Sequence, residues 1–147
     1  MTRFAAATFV SLLMAVPAAA DIERIRAEGT VDEVMARLSE AVEAAGATIF
    51  ATVDHAQGAA NTGMQLSDSR LLIFGNPEIG TPVMQQDMLA GLSLPLDMLV
   101  YSDDDGQTWV AYENVDGMFD GLDVDDDLPA LDRMRSALES LASAAAG

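Results

Sequence analysis

The chain has 147 residues, half of them hydrophobic, no cysteine, and a formal net charge of −17 in which all seven basic residues are arginine. The missing cysteines exclude disulfides, thiolate metal sites and a lipid anchor on a processed lipoprotein. The acidity excludes nucleic acid and anionic membrane as partners, because both demand Lys or Arg to meet phosphates and release counterions.

The first residues, MTRFAAATFVSLLMAVPAAAD, carry one charge at Arg3, an apolar run from Phe4 to Val16, and Ala18 and Ala20 before Asp21. This is the three-part pattern of a secretory signal, and its apolar run is too short to span a bilayer comfortably. Residues 1–20 are therefore predicted to be a signal cleaved near Ala20/Asp21, leaving a periplasmic or secreted domain over 21–147. No second long apolar run follows, so stable membrane insertion is not expected. A mature chain of this size fits a single core, and without disulfides that core must carry the stability.

Ile22 to Arg26 reads as a short, charged edge strand. Thr30-Val31-Asp32-Glu33 then matches a capping box, with Val31, Val34, Met35, Leu38 and Val42 at helical spacing and Gly46 placed to end the helix. The spacing predicts an amphipathic helix over about 31–45. Thr48 to His55 alternates as a strand, with Ile49, Ala51, Val53 and His55 on the more apolar face. Ala56 to Gly63 reads as a loop or a frayed helical turn.

Arg70 to Phe74 is a nearly continuous apolar strand ending in the turn Gly75-Asn76-Pro77. That turn is no Walker A loop, since it lacks the lysine, and no basic residue falls between Arg70 and Arg133 to support a phosphate. Thr81 as N-cap and Pro82 at the first position then predict a short helix carrying Val83, Met84 and Met88 inward and ended by Gly91. Two strand-like runs around Leu96–Tyr101 and Gln107–Tyr112 flank an Asp-Gly turn, a hairpin signal.

The hairpin sequence Ser102-Asp103-Asp104-Asp105-Gly106-Gln107-Thr108-Trp109 fits the S-x-D-x-G-x-T-W box of sialidase-like propellers. One copy in a short chain cannot build a propeller. The box is therefore read as turn chemistry, with Asp104 bonding the turn, Gly106 at positive φ, and Thr108 and Trp109 packed beside it. Glu113 to Asp127 reads as an exposed acidic loop. A last helix is expected to be capped by Asp127 or its neighbour, with Pro129 in its first turn, Leu131, Met134, Leu138 and Leu141 buried, and a frayed end over 142–147.

Few residues carry chemistry. His55 is the sole histidine, so His-pair metal sites are excluded; it stands as a lone base, a single metal or haem ligand, or a structural histidine. Met64, Met84, Met88, Met98 and Met118 offer soft ligands for Cu(I) or, more commonly, core and pocket lining. The Asp103–Asp105 and Asp123–Asp127 clusters lack the spacing of an EF-hand. No cysteine and no G-x-S-x-G elbow are present to supply a nucleophile.

Val53-Asp54-His55 with Ala59 and Gly63, then LLIFGNPEIGTPVM, then Gly91-Leu92-Ser93-Leu94-Pro95-Leu96, then the DG-x-x-W-V-x-Y run, together resemble the family called domain of unknown function 302. The resemblance implies a β-α-β4-α arrangement of the α+β class, an antiparallel sheet covered by helices on one face, and no established activity. It agrees with the pattern read from the residues: an antiparallel or mixed sheet of four to five strands under two main helices, with a short helix inserted.

The leading expectation is a non-enzymatic domain that binds a small apolar or amphipathic ligand, or a protein partner, around His55, Asn76, Met84, Met88 and Tyr112. The alternatives are a metal or haem module built on His55 with methionine or acidic ligands, an enzyme using His55 or Asp54 as base, and a homodimeric subunit joined through the open sheet face with Phe50.

Overall fold

The computed structural model describes residues 22–147; the expected signal segment and its cleavage point lie outside them. The described chain runs β1 (Ile22–Ala27), α1 (Val31–Ala44), β2 (Thr48–Asp54), α2 (His55–Asn61), β3 (Ser69–Gly75), α3 (Pro77–Gln86), a 3-10 helix (Met88–Leu92), β4 (Leu96–Ser102), β5 (Thr108–Glu113), α4 (Val115–Met118) and α5 (Pro129–Ala146). The five strands form one antiparallel sheet in the order β1-β5-β4-β3-β2. The class is α+β, as the pattern of elements predicts.

Helix α1 begins on the capping box read from the sequence: the Thr30 hydroxyl accepts from Glu33 N while the Glu33 carboxylate accepts from Thr30 N. Those bonds hold the Glu33 carboxyl below the ordinary carboxylate range. The stripe Val31, Val34, Met35, Leu38 and Val42 is buried against the sheet. It meets Leu72, Met98, Val100 and Val110 from the strands and Met134 and Leu138 from α5, all fully buried. Cross-strand pairing explains which residues join them. In β3 and β4 the positions Leu72, Phe74, Leu96, Met98 and Val100 face the helices, while Leu71, Ile73, Leu99 and Tyr101 face the uncovered side.

Several local expectations give way to tertiary packing. Phe50 is an extra residue in a bulge of β2, so Ile49 pairs with Phe74 while Ala51 and Val53 pair with Ile73 and Leu71. A bulge reverses the facing of the residues beyond it, which breaks the alternation expected through Val53. His55 does not end that strand. Asp54 caps α2 by accepting from Gln57 N at 2.8 Å, and His55 is the exposed first residue of that helix.

Helix α3 starts five residues earlier than expected, on Asn76 with Pro77 as its first residue. Thr81 and Pro82 therefore fall inside it. Pro82 removes a single intrahelical bond, a loss offset by burial of Val83 one residue on. The helix ends at Gln86, and Asp87 caps the 3-10 helix by accepting from Leu89 N. Met88 consequently points outward and is 72% exposed.

The acidic stretch after β5 is not a free loop. Val115 and Phe119 are buried, Gln86 and Asp125 exchange two hydrogen bonds, and Asp87 accepts from Asp123 N. Helix α5 begins at Pro129 after Leu128, with no side-chain cap from Asp127. Its alanine-rich end does not fray: Ala142, Ala145 and Ala146 are buried, Arg37 Nε donates to Ala145 O at 2.9 Å, and Glu28 N donates to Ala146 O at 2.9 Å. A tertiary arginine thus supplies the cation that the end of the helix lacks in its own sequence.

Candidate functional site

At the end of the sheet where β3 stops and β4 starts, α3 stands off the strands and leaves a cavity of about 300 Å³. Its sheet side is made by Phe50, Phe74, Gly75 and Leu96, its helix side by Ile79, Thr81 and Met84 of α3 and by Met134, Ala137 and Leu141 of α5. Leu94 and Pro95, joined by a cis peptide bond, complete it. The volume falls at the small end of the range for ligand sites.

The residues at the turn fix its shape. A Cβ on Gly75 would lie 3.3 Å from Pro95 Cβ and 3.4 Å from Phe50 Cε2, so the bulged Phe50 and the Pro95 loop approach the strand end closely over this glycine. Asn76 turns the chain into α3, its Oδ1 accepting from Glu78 N at 2.9 Å. On the far side, a Cβ on Gly91 would lie 3.1 Å from Met84 Cε, so the 3-10 helix backs the Met84 side chain closely.

Of the residues singled out from sequence, Asn76 and Met84 line this cavity; His55, Met88 and Tyr112 do not. His55 follows Asp54, which pairs with Arg70, whereas the cavity begins at Gly75, the partner of Thr48 at the other end of β2. Arg70 also pairs with Asp32, which raises the guanidinium pKa, while its pair with Asp54 occupies the acidic neighbour that a base or metal at His55 would need. Among the described residues no group of three or more His, Asp or Glu side chains is close enough to hold a metal ion. The methionines are dispersed: Met98 is sealed in the core and Met64 is 62% exposed. Tyr112 is buried on β5 opposite Glu23, and burial, then Glu23 and Glu139, raise its phenol pKa.

The bulge brings Phe50, expected on the open face, to the cavity rim, where it is 54% exposed. Phe74, Ile79 and Ala137 are not candidate site residues on sequence grounds, whereas Leu94-Pro95 stands among the motifs that carry the family resemblance. Met134 and Leu141 were legible as a buried stripe, but that stripe says nothing of which part of α5 borders empty space.

The hairpin box is a structural knot. The Asp103 carboxylate, rather than Asp104, accepts from Asp105 N at 3.0 Å, Gln107 N at 2.9 Å and Trp109 Nε1 at 2.7 Å. The Trp109 bond is the main reason that its pKa lies below the ordinary range. Asp104 is exposed at the tip, Gly106 takes φ of 79°, and Thr108 donates to Gly29 O at 2.7 Å. Trp109 lies on the open face beneath Arg24 and Arg26, whose guanidinium carbons are 5.0 and 6.0 Å from its ring centroid.

That open face carries Ala51, Val53, Leu71, Ile73, Leu99 and Tyr101, bordered by Arg24 and Arg26 on one side and by Asp97 and Glu113 at the cavity end. Asp97 and Glu113 border a groove with Leu92, Pro95 and Met118. Crowding about the Asp97 carboxyl, then the Glu113 charge, raise its pKa above the ordinary value. A carboxylate with a raised folded-state pKa destabilises the fold at neutral pH, and the penalty fades as pH falls through that pKa. Asp97→Asn is therefore expected to raise the melting temperature at pH 7, by the equivalent of about 0.2–1 kcal/mol. The gain should vanish below about pH 4, where both states bind the proton; a melting series from pH 3 to 8 checks it.

Comparison with known proteins follows this architecture. Of solved structures, an uncharacterised conserved protein of the same family from Bacillus stearothermophilus superposes with a TM-score of 0.68 at 18% identity, over 85% of this chain and 94% of that one. Among curated proteins, the fluoride-specific ion channel FluC 1 of Brucella suis biovar 1 is 35% identical over 86 residues, 58% of this chain and 34% of that protein. The protein of that name from Brucella abortus biovar 1 is 35% identical over the same length, 32% of its own chain. The chain thus spans about a third of the length of these relatives. No helix among the described residues is long and apolar enough to cross a membrane. The family model described as domain of unknown function DUF302 matches residues 23–145, and the chain belongs to that family.

Proposed function

We propose that the domain, exported by the signal read in residues 1–20, binds a small apolar or amphipathic ligand without transforming it. The observation that carries this reading is the 300 Å³ cavity between α3, α5 and the end of the sheet, whose lining is almost wholly apolar. The space opens to solvent past Phe50, and its mostly apolar walls offer few partners to hold water in place. None of the lining side chains is ionisable, so general acid–base chemistry has no group to use there.

Titration with indane, a bicyclic hydrocarbon followed by ligand-observed NMR, tests it. Saturable binding is expected in the wild type, with a loss of at least about tenfold in Ala137→Phe, whose ring takes up the space; one lost contact of this size is worth that factor. Equal binding by the two proteins, or none by the wild type, sinks the reading.

A second reading rests on the open sheet face. In a chain of net charge −17, this face comes close to balance, with Arg24 and Arg26 against Asp97, Asp103 and Glu113 around an apolar centre. A neutral apolar patch on an otherwise like-charged surface suits self-association, because it is where two copies repel least. We infer a homodimer through this face. Leu99→Glu is expected to shift light scattering from dimer to monomer mass, whereas a wild type already monomeric at high protein concentration overturns the inference.

A further inference from the structure

We infer that the ligand of the cavity is an uncharged ring compound carrying one hydrogen-bond acceptor, held by the side-chain amide N–H of Asn76. This rests on the cavity-binding reading and adds to it the chemical class and the anchoring group.

The exclusion of charge comes first. No cation lines the cavity, and the chain around it is strongly acidic. A carboxylate or phosphate would enter against the field of the protein and lie unpaired among Phe74, Leu96, Met134 and Leu141, where an uncompensated charge is strongly disfavoured. A cation fares no better inside, because no carboxylate reaches the lining. The occupant is neutral.

The opposed walls favour a flat body. Two aromatic side chains, Phe50 and Phe74, contribute to the sheet side, and two thioethers, Met84 and Met134, contribute to the helix side. Aromatic faces and methionine sulfur both make favourable contacts with a ring, and methionine adapts to its outline. The Met84 methyl group lies over Gly91, 3.1 Å from where a Cβ would stand, so the absence of a side chain there is what admits it.

The polar anchor follows from the cap of α3. Asn76 Oδ1 is committed to Glu78 N at 2.9 Å. That bond also fixes which end of the amide is oxygen, since a flipped amide would set an N–H donor against a backbone N–H. The Asn76 Nδ2 donors are then the free end of the group, and among the described residues they have no acceptor. A donor at the rim of an apolar cavity selects a ligand that brings an acceptor, such as a ketone, aldehyde, ether or phenol oxygen.

A matched set of probes separates these claims: indane, the same skeleton with one carbonyl in 1-indanone, and the same skeleton with a charge in indane-1-carboxylate. Asn76→Asp keeps the helix cap but removes the donor, and Asn76→Gly, a tolerated N-cap with no side-chain donor, provides a second variant should the new charge disturb folding. In the wild type, 1-indanone and indane are expected to bind and the carboxylate to bind at least about tenfold more weakly than 1-indanone. In both variants 1-indanone should weaken by about tenfold, the cost of leaving its carbonyl without a donor, while indane changes by less than about twofold. Unchanged 1-indanone affinity in both variants, or a carboxylate that outbinds the ketone, overturns the proposal while leaving cavity binding intact. Failure of indane and 1-indanone alike to bind the wild type removes the cavity-binding reading itself.

Discussion

Leu38→Ala is expected to lower the unfolding free energy by about 2–5 kcal/mol, measured by urea denaturation at neutral pH. Leu38 is fully buried at the centre of the α1 stripe and belongs to the same core as Leu72, Met98 and Leu138. Alanine there leaves a void that α1 cannot easily collapse into, because its N-terminus is fixed by the capping box and Arg37 ties it to the end of α5. Domains of this kind typically have about 5–15 kcal/mol in total, so the variant should lose a large share of its cooperative stability. A loss below about 1 kcal/mol would mean that the helix layer packs loosely on the sheet.

Met134→Ala is expected to cost about 2–5 kcal/mol by the same measurement, since its side chain is as buried as those of the sealed core. Its second effect separates it from Leu38→Ala. Met134 lines the cavity, so the lost atoms enlarge an existing space instead of creating an isolated one. The variant should gain relative affinity for a tricyclic ketone such as fluorenone over 1-indanone. The Leu38→Ala variant should show no such change in preference. If both variants rank the two ketones alike, Met134 does not shape the ligand volume.

The parts of the fold legible in the sequence are those fixed by neighbours in the chain. The Thr30–Glu33 capping box, the stripe of α1 and the hairpin around Asp105-Gly106 are local signals, and each is found in place. Competing local signals account for the rest. Asn76-Pro77 and Thr81-Pro82 are both a capping residue followed by proline, and residue types alone do not rank them. The earlier start prevails where it lets Ile79 pack against the core and buries Val83 completely. Three consecutive aspartates likewise hide which one reaches Trp109, and Asp103 does so because the tryptophan lies on the open face.

The candidate site was less legible than the fold because it is built from long-range neighbours. Asn76 and Met84 were found through the strand-to-helix turn, but Phe50 joins them only through a bulge that strict alternation conceals. His55 misled for a related reason. Asp54 is the last residue of β2 and also the acceptor for Gln57 N, so the chain leaves the sheet before the histidine. Ala137 carries no sequence signal at all; a small residue on a helix marks empty space only when the opposite wall is known.

The bond from Glu28 N to Ala146 O, with Arg37 reaching Ala145 O from α1, fastens the last turn of α5 to the segment after β1. Among the described residues β1 in turn pairs with β5 alone. The first and last described elements therefore lock each other, and neither finds its partner until nearly the whole sequence is available. Assembly should be slow for a chain of this length, governed by distant contacts. Any fusion at the C-terminus would bear on this latch before it disturbed the cavity.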